Sequence, residues 1–331
     1  MRCAVIGAGA WGTALANLLA ANGHEVVIWA REPEVIESIN GAHENRSFLA
    51  GVGLAPSLRA VPRQEDALSQ AGLIVYAAPS EHLRGVVRAG ASSVRGDAVL
   101  CVATKGIERE TLALMTDVVH DELPAAAVVG ISGPSFAAEV AARQPTAIVA
   151  ASASSAAARC VQAALSNADF RVYTNDDVIG VELGGALKNV MAVASGIVEG
   201  VGLGFNCRAA LITRGLHEMS RLGLSLGARA QTFAGLAGLG DLVLTCTGAL
   251  SRNRALGVEV GQGASLAQAL AGKHTVAEGV VTTQSTVALA ATRGVDMPIV
   301  QTVHRILFEG HPARQAVSEL MARELRPEQD Q

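Results

Sequence analysis

The stretch MRCAVIGAGAWGTALANLLA (residues 1–20) places an apolar run directly before the glycine pattern Gly7-x-Gly9-x-x-Gly12 and a helix-forming run directly after it. A strand, a GxGxxG turn and a helix in this order are typical of dinucleotide binding. In such a turn Gly7 permits the tight bend, Gly9 lets the backbone approach a pyrophosphate, and Gly12 lets the helix pack closely on the strand. Free N–H groups at the start of the helix attract negative charge. The stretch therefore predicts a nucleotide-binding loop.

The same segment could be a signal peptide or a membrane segment, because residues 3–24 contain no Asp, Glu, Lys or Arg. Glycines and two asparagines interrupt the apolar run, which falls short of the ~20 mostly apolar residues that span a bilayer. Only Arg2 carries a positive charge ahead of the run, and this is weak for a signal peptide. We therefore expect no targeting sequence and no integral membrane segment.

Length, charge and cysteine usage limit the classes of function. A chain of 331 residues suggests about two domains. The net charge is -4 and both signs are interspersed, so neither nucleic acid nor an anionic membrane surface is expected as a partner. The five cysteines are far apart and form no CxxC or Cys/His cluster. This pattern favours a reduced, cytoplasmic protein without a metal site.

Short apolar runs alternate with helical patterns through the first half of the chain. The predicted strands after the first are residues 25–30, 73–78, 98–103, 126–132, 146–150 and 170–174. Such alternation predicts an α/β fold with a Rossmann-like, doubly wound parallel sheet. The sheet's ligands are then expected outside the carboxyl ends of the strands.

Strand signals stop after Asn175, and long helical patterns follow, such as residues 181–199 and 208–221. We place a domain boundary near Ile179. Residues 1–179 are expected to form the dinucleotide-binding domain, and residues 180–331 an all-α domain that binds substrate and carries catalytic residues. The substrate is expected in the cleft between the sheet edge and the helical domain.

Arg31 lies where the adenosine ribose of a dinucleotide is read, about 20 residues after the glycine loop. An acid at this place binds the 2′-hydroxyl of NAD, whereas an arginine pairs with the 2′-phosphate of NADP. NADP (NADPH) is therefore expected to be favoured, with NAD (NADH) as the alternative. Arg31 could also be a solvated loop residue, and Glu32 beside it could weaken the preference.

Polar residues follow two further predicted strands. Lys105 follows the run at residues 99–103, and Gly133 and Ser135 follow the run at residues 128–131. Gly133 makes a turn that frees N–H groups, and Ser135 can begin the next helix. Taken alone, each is better explained as a structural turn or cap than as a ligand contact. Together at one sheet edge they are candidate ligand contacts.

Lys188 places a charge inside a helical pattern of small apolar residues, within ELGGALKN (residues 182–189). Burial lowers the pKa of an amine and makes it a usable general base and acid near neutral pH. The alternative is a lysine whose stem lies along apolar surface while its ammonium reaches water. Glu182 and Asn189 are its candidate hydrogen-bond partners.

A last group of polar residues follows in the helical half. Asp241 comes directly after a glycine-rich turn, and Ser251, Arg252 and Asn253 form a cluster of anion-binding donors. Arg252 can hold a phosphate through a bidentate pair while the other two add hydrogen bonds. The alternative is an arginine-bearing loop that is simply solvated.

Eight motifs, spread over almost the whole chain, match one known family in the same order. They are GAGAWGTALA (7–16), ATKGIE (103–108), ISGPSFAAEV (131–140), VELGGALKNV (181–190), LITRGLHEMSRLG (211–223), GLAGLGDLVLTCT (235–247), SRNR (251–254) and VAEGVVTT (276–283). On these motifs the chain resembles the bacterial NAD(P)-dependent glycerol-3-phosphate dehydrogenases. Ala10 is one departure, because many members carry serine there.

The resemblance implies roles for individual residues. Lys188 is expected to accept the proton of the C2 hydroxyl of sn-glycerol 3-phosphate, with Asp241 orienting Lys188 or the substrate. The substrate-binding set is Lys105, Gly133, Ser135, Lys188, Asp241, Ser251, Arg252 and Asn253. With the loop residues Gly7, Gly9, Ala10 and Gly12, the cofactor-binding set is completed by Trp11, Arg31, Lys105, Ala137, Arg252, Val276 and Glu278, and Phe48 is a further candidate.

The expected reaction is the interconversion of dihydroxyacetone phosphate and sn-glycerol 3-phosphate by hydride transfer, by a cytoplasmic homodimer that supplies glycerophospholipid synthesis. Two alternatives stay open. A reductase of another small hydroxy or keto acid would leave Arg252 and Asn253 without a use. A non-catalytic NAD(P) sensor would need the glycine loop but not Lys188.

Overall fold

The computed structural model describes residues 1–272, 277–325 and 327–328. The strands among these residues are β1 (Arg2–Ile6), β2 (Glu25–Trp29), β3 (Arg59–Val61), β4 (Leu73–Tyr76), β5 (Val99–Val102), β6 (Ala127–Ser132), β7 (Thr146–Ala151) and β8 (Phe170–Asn175). They form one sheet in the order β3-β2-β1-β4-β5-β6-β7-β8. The order reverses between β1 and β4, and this switch point is where an open α/β sheet binds its ligand.

Helices cover the sheet and then form the second half of the chain. Those of the first half are α1 (Ala10–Ala21), α2 (Pro33–Ala42), α3 (Gln64–Leu68), α4 (Leu83–Gly90), α5 (Met115–Glu122), α6 (Ala137–Ala141) and α7 (Ser155–Leu165). Those of the second half are α8 (Val178–Gly200), α9 (Phe205–Ser225), α10 (Ala230–Phe233), α11 (Asp241–Thr247), α12 (Arg252–Gly261), α13 (Leu266–Leu270), α14 (Glu278–Arg293), α15 (Pro298–Phe308) and α16 (Ala313–Met321). The predicted fold class, an α/β sheet domain followed by an all-α region, is confirmed.

The central strands are apolar on both faces because helices cover both sides of the sheet. β4, with the sequence LIVY, is fully buried. Two apolar cores result, one containing Val5 and the other containing Tyr76. The interior is built mostly from Val, Ile, Leu and Ala, whose side chains let helices and strands pack closely.

α8 is the central helix of the second half. Residues 180–198 are buried apart from Glu182, and α11, α12 and α14 pack around the helix. Among the described residues α8 is the one single helix long and apolar enough to cross a membrane, and 83% of its most apolar window is buried inside the protein. The α10–α12 region passes the same test only as a bent pair of helices.

Two features of the sheet differ from the sequence prediction. β3 was not predicted, because its three residues, Arg59–Val61, are too few to show a period of two. β7 runs antiparallel to β6, with Ile131 opposite Ala150, although a parallel sheet was expected. An apolar run indicates burial but not direction, so the sequence pattern carries no signal for this reversal. The boundary near Ile179 falls in the first turn of α8, and its position stays a prediction.

Candidate functional site

The glycine loop joins β1 to α1 at the switch point. Gly7 has φ +117°, a left-handed value that favours glycine, and a Cβ there would lie 2.9 Å from the carbonyl carbon of Ala77. A Cβ on Gly12 would lie 2.0 Å from the Gly7 carbonyl oxygen. Gly9 precedes α1 without a side-chain cap, and a Cβ there would meet no described atom within 4 Å. This open space beside uncapped N–H groups fits a pyrophosphate.

Other predicted cofactor residues surround this loop. Ala10, Trp11, Phe48 and Ala137 are partly buried and pack against the core that contains Val5. The indole Nε1 of Trp11 is buried and makes no hydrogen bond within the described part of the chain. A buried donor without a partner is energetically costly. The indole N–H of Trp11 is therefore a hydrogen-bond donor available beside the loop. Ala10 is the first residue of α1, and Gly9, the N-cap, has no side chain, so the first N–H groups of the helix have no side-chain cap.

Arg31 lies just beyond β2, next to the N-terminus of α2. Its Nε and Nη2 both donate to Oε1 of Glu32, at 3.0 and 2.8 Å. The Arg31 side chain is 75% exposed, against 28% for Glu32. The structure therefore pairs an arginine with a glutamate at the position that is predicted to read the ribose.

One buried carboxylate joins the two halves of the chain. Asp241, the first residue of α11, is 0% exposed. Its Oδ2 accepts a hydrogen bond from Nζ of Lys105 at 2.6 Å, and its Oδ1 accepts one from Nζ of Lys188. Lys105 also reaches the carbonyl oxygen of Gly133, at 3.4 Å. Lys105 follows β5 and Lys188 belongs to α8, so residues far apart in sequence meet at the carboxyl edge of the sheet.

Glycines one turn before Lys188 allow this meeting. A Cβ on Gly185 would lie 2.4 Å from Oγ of Ser132 and 3.4 Å from Cδ of Lys105. A Cβ on Gly184 would lie 2.3 Å from the carbonyl oxygen of Ala237. Any larger residue would push away the end of β6 or the turn that leads to Asp241. The small residues around Lys188 therefore bring the sheet edge and α11 to the lysine.

The three charges change one another's protonation. Burial lowers the pKa of Lys188 to about 7; Asp241 opposes this shift and the nearby Lys105 ammonium adds to it. Burial alone would raise the pKa of Asp241, but the positive charges of Lys105 and Lys188 outweigh it and hold that pKa below its usual value. Lys188 is thus a buried amine that can gain and lose a proton near neutrality, next to a carboxylate that stays ionised. Its other predicted environment, a snorkelling surface lysine, is wrong because Lys188 is only 9% exposed.

Two predicted partners of Lys188 make other contacts. Glu182 accepts a hydrogen bond from the backbone N–H of Thr116 at 2.9 Å, and one from its hydroxyl. Asn189 accepts one from the side chain of Asn253 at 3.0 Å. Both point away from Lys188 because residues next to it, or six before it, lie on other faces of the helix.

The cluster at residues 251–254 forms the N-terminus of α12. The Ser251 hydroxyl caps the helix by accepting from the N–H of Arg254 at 3.2 Å. The Asn253 side chain donates to Asn189 and accepts from the N–H of Gly279 at 2.9 Å. These two predicted ligand residues therefore build the helix start, while the exposed Arg252 and the backbone N–H groups there are left to face an anion.

The remaining predicted residues have distinct outcomes. The Ser135 hydroxyl donates to the Gly133 carbonyl oxygen at 2.9 Å, and Phe136 is the N-cap of α6, so the idea that Ser135 begins the helix is wrong. Val276 lies outside the described residues. Glu278 begins α14 and contacts Ser80, a residue that sequence reasoning missed. Ser80 follows β4 and comes directly after Pro79. Its place after the end of a strand was the one feature of the sequence that could have marked it as a site residue.

Comparison with known proteins agrees with this geometry. The family model for the N-terminus of NAD-dependent glycerol-3-phosphate dehydrogenase matches residues 2–158, and the model for its C-terminus matches residues 177–318. This chain belongs to that family. The predicted family is therefore confirmed, and with it the prediction of an NAD(P)-linked oxidoreductase.

Relatives of this family are similar over their whole length. Glycerol-3-phosphate dehydrogenase (NAD(P)+) of Geobacter sulfurreducens is 53% identical over 330 residues, which cover 99% of this chain and 98% of the relative. The enzyme of the same name from Trichlorobacter lovleyi is 53% identical over 332 residues, covering 99% and 100%. The crystal structure of glycerol-3-phosphate dehydrogenase from Coxiella burnetii superimposes with a TM-score of 0.94 at 40% identity, covering 97% and 98%.

Proposed function

We propose that the protein interconverts dihydroxyacetone phosphate and sn-glycerol 3-phosphate, with NADPH or NADH as the hydride donor. The observation that carries this proposal is the contact of Lys105 and Lys188 with the buried Asp241 at the carboxyl edge of the sheet. A proton-exchanging amine at the carboxyl edge of the sheet, the edge that also carries the nucleotide loop, suits a reaction that moves a hydride and a proton together. Membership of the family supports the same substrate pair.

In this proposal Lys188 exchanges the proton of the C2 oxygen. As a neutral amine it accepts the proton from glycerol 3-phosphate, and as an ammonium it polarises the carbonyl of dihydroxyacetone phosphate and returns the proton. Asp241 holds Nζ of Lys188 in place and stabilises the ammonium form. The nicotinamide, when bound, supplies or receives the hydride.

Substrate binding falls to residues around this pair. Arg252 and the N-terminus of α12 bind the phosphate, because a guanidinium and free helix N–H groups both favour a dianion. Ser251 and Asn253, which hold that helix start in position, belong to the same proposed substrate-binding set. At the sheet edge, the remaining proposed substrate contacts are Lys105, Gly133 and Ser135. Remote phosphate binding then fixes the carbonyl for reaction.

The cofactor is proposed to lie across the switch point. Gly7, Gly9, Ala10 and Gly12 receive the pyrophosphate on the start of α1. Trp11, Lys105, Ala137, Arg252, Val276 and Glu278 are the other proposed contacts, with Phe48 as a further one. Arg31 reads the 2′-phosphate and favours NADPH.

We further propose the division into residues 1–179 for the dinucleotide and residues 180–331 for substrate and catalysis. A cytoplasmic homodimer that supplies glycerophospholipid synthesis agrees with the family. The interspersed charges and the absence of a charged stripe in the sequence support a small-molecule substrate and not nucleic acid.

The direct test is oxidation of NADPH and of NADH, measured side by side with dihydroxyacetone phosphate and with unphosphorylated keto acids. We expect turnover with the triose phosphate, and at least 100-fold lower kcat/KM for acids that lack the phosphate, about 3 kcal/mol of lost binding. Turnover of the keto acids alone would support the other reductase. NADPH binding without any turnover would support the sensor.

A further inference from the structure

Ser80 and Glu278 make a contact that joins the two halves of the chain. The Glu278 carboxylate accepts two hydrogen bonds from this one serine: Oε1 from the backbone N–H at 3.1 Å, and Oε2 from the hydroxyl at 2.5 Å. Ser80 is 4% exposed. A carboxylate held through both oxygens by a buried residue has a fixed direction, so Ser80 determines where Glu278 points.

The contact lies at the switch point of the sheet. Ser80 begins a short 3₁₀ turn, Ser80–His82, four residues after the end of β4. Ala77, the residue directly after β4, packs against Gly7 of the glycine loop. A Cβ on Gly7 would lie 2.9 Å from the carbonyl carbon of Ala77. β4 is paired with β1, and the order of strands reverses between these two. Glu278 therefore reaches from α14 into the crevice where this kind of sheet binds a dinucleotide.

Gly106 has no side chain and therefore leaves space for the contact between Ser80 and Glu278. It has φ +157°, and a Cβ there would lie 2.7 Å from Cβ of Ser80, 2.9 Å from its Oγ and 3.7 Å from Oε2 of Glu278. Lys105, which contacts Asp241, is the adjoining residue. The hydrogen-bonded pair is therefore packed directly against the turn that carries a residue of the reaction site.

The ionised carboxylate of Glu278 needs hydrogen-bond donors, because desolvation disfavours its negative charge. Burial raises the pKa of its carboxyl, and the negative charge of Glu81 adds to that shift, whereas the two hydrogen bonds from Ser80 and the positive charge of Arg252 oppose it. With alanine in place of the serine, the ionised carboxylate would lose the hydroxyl donor to Oε2 and keep only the backbone N–H at Oε1. It would then either turn toward another donor or take up a proton.

We propose that Ser80 is a positioning residue, which holds the Glu278 carboxylate in the orientation that binds the nicotinamide cofactor. Ser80 acts through Glu278 and does not itself have to touch the cofactor. The inference rests on the proposed function only in that the protein must bind NADPH. The Glu278 carboxylate, held in this way, is a fixed hydrogen-bond acceptor for the hydroxyl or amide groups of the bound dinucleotide.

The test is a double-mutant cycle of Ser80→Ala, Glu278→Ala and the double variant, with the Kd of NADPH measured by fluorescence titration in the absence of substrate. We expect each single variant to weaken NADPH about tenfold, since hydrogen bonds to charged groups have this size. The double variant should bind no more weakly than Glu278→Ala, because Ser80 then has no carboxylate to hold. Ser69→Ala, at an exposed serine of the same sheet domain, should match the wild type.

Other outcomes separate the possible failures. A Ser80→Ala variant that binds NADPH within twofold of the wild type would overturn the inference. So would an effect of Ser80→Ala that is equally large in the Glu278→Ala background, because this marks a general structural role. Thermal unfolding midpoints of all variants show whether loss of binding is loss of fold. If the wild type binds NADPH but does not reduce dihydroxyacetone phosphate, the proposed function fails while the cycle still decides the role of Ser80.

Discussion

Ion pairs lie at both ends of the proposed cleft, and their surroundings differ. At the adenosine end, Arg31 and Glu32 pair in the open, with the arginine 75% exposed. At the reaction end, Asp241 is 0% exposed and contacts Lys105 and Lys188. Exposed pairs contribute about 0–1 kcal/mol, whereas breaking a buried pair leaves an uncompensated charge and costs about 3–5 kcal/mol. The comparison indicates that cofactor preference is easily tuned and that the reaction centre is not.

The largest effect is expected at the buried end. Lys188→Ala removes the group that exchanges the proton, so kcat should fall about 10³-fold or more. The Kd of NADPH should stay within about threefold of the wild type, since Lys188 is not among the proposed cofactor contacts. Steady-state kinetics and fluorescence titration measure the two quantities. A kcat near the wild-type value would exclude Lys188 as the proton-exchanging group.

Next in size is a matched pair of substitutions in the glycine loop. Gly12→Ala places a Cβ 2.0 Å from the Gly7 carbonyl oxygen, so it should lower the free energy of unfolding by about 1–3 kcal/mol or more. Gly9→Ala meets open space, so it should leave the unfolding midpoint unchanged and weaken NADPH binding about tenfold by blocking the pyrophosphate. Equal stability losses in both variants would contradict this difference between the two glycines.

The pH profile tests the charge balance at the buried end. Because the pKa of Lys188 is about 7 and its neutral form accepts the proton, kcat/KM for oxidation should fall about tenfold per pH unit below pH 7 and level off above it. For reduction the ammonium form is needed, so the rate should fall above pH 7. Lys105→Met removes a nearby positive charge, which should raise the pKa of Lys188 and move both limbs to higher pH. A limb that stays in place in Lys105→Met would show that Lys105 does not influence Lys188.

The smallest effect is expected at the exposed end. Glu32→Gln frees Arg31 and removes a negative charge near the 2′-phosphate, so the ratio of kcat/KM for NADPH over NADH should rise by about three- to tenfold. Arg31→Asp should lower the same ratio. Glu65→Gln is the matched control, because Glu65 forms a similar exposed pair with Arg63 beyond the neighbouring β3. A ratio unchanged by both Glu32→Gln and Arg31→Asp would place cofactor selection elsewhere.

Much of the fold follows from local patterns. The turn at Gly7, the buried strands and the switch to helices after Asn175 can all be predicted, because glycine spacing and apolar periodicity act over a few residues. The short β3 and the antiparallel direction of β7 could not be predicted in this way. Strand pairing depends on residues far apart in sequence, and β3 has only three of them.

The candidate site shows the same difference between what local sequence patterns predict and what depends on residues far apart in sequence. The sequence by itself determined the types of residue present: a nucleotide loop at Gly7, a lysine in an apolar helix at Lys188, and an arginine cluster at Arg252. Only the tertiary structure decided which of them meet. It gave Lys188 the partner Asp241, which only the family resemblance had implied, in place of Glu182, and it gave Glu278 the partner Ser80. These contacts depend on how closely helices and sheet approach, and the chemistry depends on the burial that this approach creates.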